Sequence, residues 1–103
     1  MAPVSLQTVL QALYDAGFTA RVSAEPIPDL NKGNGIIAAI HDGRRDRLEK
    51  MAFMSVMSDG KPTWPPEGDI SRWLLKAAIR VGSGPPDENI QRLLEQAGGE
   101  TTA

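Results

Sequence analysis

The chain contains no cysteine. That excludes disulfide staples and thiolate metal centres, and it reads as the chemistry of a reducing compartment. It also has a single histidine, His41. One imidazole and no thiol leave few nucleophile–base arrangements and no typical zinc ligand set. Aromatic residues make up only 5% of the sequence, which leaves little with which to stack nucleobases. Neither sign of charge dominates. Eleven Lys and Arg against thirteen Asp and Glu give a net charge of −2, which counts against a general polyanion binder. No apolar run approaches the ~20 residues of a membrane span. Met1 to Leu10 is neither basic nor continuously apolar, so it does not read as a signal peptide. Together these absences lead us to expect a soluble, cytoplasmic protein without cofactor, metal or membrane partner.

What is present fits one small domain. The 103 residues have room for a single core, expected over 1–97 with a disordered tail over 98–103. Leu6, Val9, Leu10, Leu13 and Tyr14 recur at helical spacing opposite Gln7, Gln11 and Asp15, which predicts a helix from Leu6 to Ala16. Ser5 suits its N-cap, Val4 its hydrophobic staple, and Gly17 the left-handed position after its end. From Phe18 the period changes to two. Phe18, Ala20, Val22 and Ala24 alternate with Thr19, Arg21 and Ser23 as in a half-buried strand, stopped by Pro26 and Pro28. Asp29 to Gly35 reads as a loop and Ile36 to Ile40 as a second strand.

The stretch from 43 to 57 has two readings. Leu, Glu, Lys, Met and Ala favour a helix over Arg44 to Met57. Its apolar residues, however, point all round a helical wheel, so the alternative is a third strand covered on both faces. Helix is the preferred reading. Further on, Asp69 suits the N-cap of a helix from Ile70 to Val81, and a last helix runs from Pro86 to Ala97 with Asp87 and Glu88 at its start. The expected fold is therefore a small, helix-rich α+β domain in the order α-β-β-α-α-α. Its small antiparallel sheet is packed by helices, with a third strand over 43–57 as the alternative.

Candidate functional residues are few. His41 and Asp42 adjoin, yet neighbours on a strand face opposite sides and do not form a dyad, and Asp42-Gly43 reads as a turn. Lys32-Gly33-Asn34-Gly35 lacks the order of a phosphate-cradling loop and reads as a flexible turn. No catalytic residue is assigned. Arg44, Arg45, Arg47 and Lys50 form a basic cluster diluted by Asp46 and Glu49. Arg72, Lys76 and Arg80, at i, i+4 and i+8, line one stripe of the predicted helix. These arginines and Lys76 are the candidates for an anion or nucleic acid. The rest of that helix is nearly all apolar, with Leu75 and Ile79 opposite Ile70 and Val81. The helix is then either central to the domain or shared between core and a partner chain. Trp64, in the proline-stiffened Lys61-Pro62-Thr63-Trp64-Pro65-Pro66, is either a lid on the core or a binding anchor. Trp64, Leu75 and Ile79 are thus the candidate interface residues.

The functional expectation is a non-enzymatic protein-binding module, either a small adaptor or an inhibitor that occludes a larger partner. Small phage- or plasmid-type inhibitors of host defence share this size. A protein partner is expected, and a homodimer is compatible with the wide apolar arc. The alternative is a nucleic-acid-binding accessory protein using the basic stripe, against which stands the acidic pI of about 5.3.

Overall fold

The computed structural model describes residues 4–26, 34–54, 56–63, 67–82 and 87–98. The elements run α1 (Leu6–Asp15), β1 (Phe18–Pro26), β2 (Asn34–Asp42), β3 (Arg47–Met54), β4 (Val56–Ser58), β5 (Lys61–Thr63), α2 (Glu67–Val81) and α3 (Glu88–Gln96). β1, β2 and β3 form one antiparallel sheet in that spatial order, while β4 and β5 pair as a separate two-stranded ribbon. The fold class is α+β, as the sequence implies.

The helix starts behave as the capping chemistry requires. Ser5 accepts the backbone N–H of Thr8 at 3.1 Å, and Asp87 accepts those of Asn89 and Ile90 at 2.9 and 3.1 Å. Gly17 has φ +97°, the left-handed conformation after the end of α1. Asp69 is not the cap of α2, which begins two residues earlier at Glu67. The structure also extends both early strands. β1 incorporates Pro26, which pairs with Asn34, so Asn34 and Gly35 belong to β2 rather than to a loop.

The preferred helix over 44–57 is corrected to a strand. β3 pairs with β2 over eight residues, from Gly35 opposite Met54 to Asp42 opposite Arg47. The element order is accordingly α-β-β-β-α-α, plus the β4–β5 ribbon. Chain reversal at Gly43–Asp46 decides this against helix propensity. Arg45 N–H donates to the Asp42 carbonyl at 3.2 Å, closing a β-turn, and Asp46 takes a positive φ of 51°. Once the chain is turned back, the ladder with β2 outweighs the few tenths of a kcal/mol per residue that separate these side chains in a helix. Nor is β3 a central strand. It lies at the sheet edge.

α2 is the centre of the domain. Ile70, Leu74, Ala77 and Val81 are buried toward one side, and Ser71, Leu75 and Ala78 toward another. The sheet meets α2 through β2 and β3, α1 and α3 pack beside it, and only the side carrying Lys76 and Arg80 faces outward. That arrangement resolves the breadth of the apolar arc: two layers of one chain cover it. Leu13, Ile40, Ile90 and Leu94 complete the core around it. Trp73, at the arc's edge, meets Phe53 of β3 edge-to-face, with ring centroids 6.3 Å apart.

Candidate functional site

The pleat of the sheet sorts its residues into two faces. Phe18, Ala20 and Val22 of β1, Ile36, Ala38, Ile40 and Asp42 of β2, and Glu49, Met51 and Phe53 of β3 share the side on which the helices pack. The other side carries Thr19, Arg21 and Ser23, then Ile37, Ala39 and His41, then Leu48, Lys50 and Ala52. Both outer strands' residues on that side are exposed, and those of β2 are half-buried between them. Among the described residues no helix lies on this side, and β3 pairs with no strand but β2. Among the described residues the domain therefore has one open sheet face and an unpaired edge at β3.

Three large hydrophobic residues of the described chain are exposed: Tyr14 at 74%, Leu48 at 53% and Met51 at 41%. Tyr14 stands alone on α1. Leu48 and Met51 share β3 but point to opposite faces, so they flank its unpaired edge. Sequence reasoning missed both, because their significance depends on β3 being an edge strand. The stretch carries no clear signal of it, since Leu48, Lys50 and Ala52 and the alternate Glu49, Met51 and Phe53 each hold one charged and two apolar residues.

The predicted basic residues divide. Arg44 and Arg45 are both turned toward Asp42, which is 1% exposed, with each guanidinium Nε 3.7 Å from its carboxylate. The Asp42 carboxylate also accepts the Arg44 backbone N–H at 3.0 Å, so the cluster holds the β2–β3 turn together. Arg44 additionally reaches the carbonyl of Ala16 at 3.5 Å, bringing a cation to the negative end of α1. In α2, Arg72 bonds Asp69 and donates to the Ala97 carbonyl at 2.9 Å, while Arg80 donates from Nε to both carboxylate oxygens of Glu49 at 3.1 Å. The stripe does lie on the outward side of α2, but its two arginines are engaged within the chain. Lys76 and Arg47 are exposed.

Of the interface candidates, Leu75 is corrected: it is 0% exposed, sealed in the core by the packing around α2. Ile79 is half-buried against that core, and Trp64 lies outside the described residues, as do Lys32, Gly33 and Pro86. His41 and Asp42 do face opposite sides. His41 instead meets Asp46 across the turn, with Nε2 3.2 Å from Oδ1. Among the described residues, no three His, Cys, Asp or Glu side chains gather as a metal site. An open groove of about 500 Å³ lies between α1 and α3, its floor including Ala12 and Leu93 beside Gln11, Asp15, Asn89 and Arg92. Its polar groups are partly spent on one another, since Gln11 donates to Asp15 at 2.9 Å and Arg92 bonds Asn89. Among the described residues, no helix is long and apolar enough to cross a membrane.

The fold and its exposed strand define a small two-layer α+β domain with helices on one side of a three-stranded antiparallel sheet. No protein-family model, curated protein or solved structure matches the chain.

Proposed function

We propose that the chain is a non-enzymatic protein-binding module, an adaptor or an inhibitor that occludes a larger partner, and that it binds through β3. The observation that carries this reading is the pair Leu48 and Met51, two exposed hydrophobic side chains flanking a strand edge that is unpaired among the described residues. A regular edge strand offers backbone donors and acceptors to an added strand, and alternate side chains then give selectivity. The nucleic-acid alternative is weakened by the ion pairs of Arg44, Arg45, Arg72 and Arg80, which hold those cations against the protein's own carboxylates and carbonyl groups.

The test is capture of partners from lysate by the chain and by a double variant, Leu48→Lys with Met51→Lys. Both positions are exposed, so the variant should melt within a few degrees of the parent. Binding of a protein partner should fall at least tenfold. Capture that is nuclease-sensitive, salt-labile and indifferent to the two lysines would overturn the proposal in favour of nucleic acid.

A further inference from the structure

We infer that the strand added to β3 is β3 of a second copy of this chain, in a two-fold register centred on Met51; this rests on the reading of β3 as the binding edge. β3 spans Arg47–Met54 and contains no proline, and all eight of its residues pair with β2 without a skipped position, so its edge is straight enough to receive an antiparallel partner.

Symmetry and the pleat then limit the registers. In an antiparallel pair, directly opposed residues point to the same face. A two-fold axis perpendicular to the sheet must therefore pass beside one residue and oppose it to its own copy. Within the bounds of β3, only axes at residue 50 or 51 oppose as many as seven residues of each strand; all others pair five or fewer. An axis at Lys50 sets two ammonium groups directly against each other, and like charges so placed are destabilising. An axis at Glu49 pairs only five residues and opposes two carboxylates.

The axis at Met51 avoids direct opposition of like charges and leaves the two Lys50 only as diagonal neighbours, about 7–8 Å apart. It opposes Met51 to Met51 on the helix side, where each is 41% exposed in the single chain. Lys50 then faces Ala52, Glu49 faces Phe53, and Leu48 faces position 54 of the second copy. No like charges are directly opposed. The thioether adapts its shape to a symmetric contact more readily than a branched side chain. All helices stay on one side of the resulting six-stranded sheet, and the two open faces join into one.

The absence of cysteine makes the register directly testable, since each substituted thiol is the chain's only one. Opposed Cα atoms in an antiparallel pair lie about 4.5–5.5 Å apart, inside the disulfide range of about 4.4–6.8 Å. The full chain is first weighed by sedimentation across the micromolar range, where a dimer is expected. Glu49→Cys, Lys50→Cys, Met51→Cys and Ala52→Cys are then oxidised singly in a glutathione buffer. Met51→Cys should give the most covalent dimer. Lys50→Cys and Ala52→Cys should link poorly alone and efficiently when mixed. Preferential self-linking at position 50, or a dimer that position 51 does not capture, overturns the inference. A monomer overturns it as well. If that monomer captures a foreign protein and loses it in the Leu48→Lys, Met51→Lys variant, the binding edge stands without the second copy. If capture ignores those substitutions, both readings fall.

Discussion

At the scale of single residues, the structure is held by side chains reaching across long sequence separations. Glu67, in the first turn of α2, accepts the Leu6 backbone N–H at 2.8 Å, so one helix start supplies an acceptor for another. Asp42 is buried at the end of β2 and is offset by Arg44 and Arg45, with the Arg44 N–H as an extra donor. Ser71 is different. Its hydroxyl is fully buried, and among the described residues it has no hydrogen-bond partner. An unpaired buried hydroxyl costs about 1–3 kcal/mol, and Ala is also the better helix former. Ser71→Ala is therefore expected to raise stability by about 1 kcal/mol, read as a higher denaturant midpoint at unchanged slope. A loss of stability would mean that the hydroxyl has a partner, such as a buried water.

At the scale of elements, α2 and β3 show how neighbours settle what periodicity leaves open. The apolar arc of α2 reads equally as a central helix or as a helix shared with another chain. Packing against the sheet, α1 and α3 settles it for Leu75, which lies wholly inside. Leu75→Ala should accordingly cost about 2–5 kcal/mol, as for truncating a packed core leucine. Ile79→Ala, at the half-buried margin of the same helix, should cost less. Denaturation of the two variants at low concentration checks this, and an equal or reversed order would contradict the central position of α2. For β3, helix-favouring residues form a strand because the turn at Gly43–Asp46 delivers them to β2. The notation of a wheel had no means of including that partner.

At the scale of the whole molecule, the decisive property is asymmetry. Every helix packs on one side of the sheet, so the core forms there and the opposite side is left to solvent among the described residues. Among the described residues β2 alone is bonded on both edges. Its amides, with Ala38 and Ile40 fully buried beside them, should exchange with solvent only when the whole domain opens. Amide exchange followed by NMR in dilute solution should thus show β2 slower than β1 and β3. Equal protection of β3 and β2 in the monomer would mean that its outer edge is covered. Slowing confined to β3 as concentration rises is the behaviour expected of the paired edge.

The local elements were legible because their causes are local. The 3.6-residue spacing of Val9 and Leu13, the cap at Ser5, the glycine at position 17 and the alternation from Phe18 to Val22 each act within a few residues. The α+β class followed from them, and so did the opposite facing of His41 and Asp42. The exposed edge and the spending of the arginines were decided only in three dimensions. Whether Arg80 is free or bound depends on Glu49, thirty-one residues away and on another element. Whether Leu48 is core or surface depends on which strand lies beside it and on which side the helices fall. Both depend on pairings distant in sequence, which spacing along one segment does not encode.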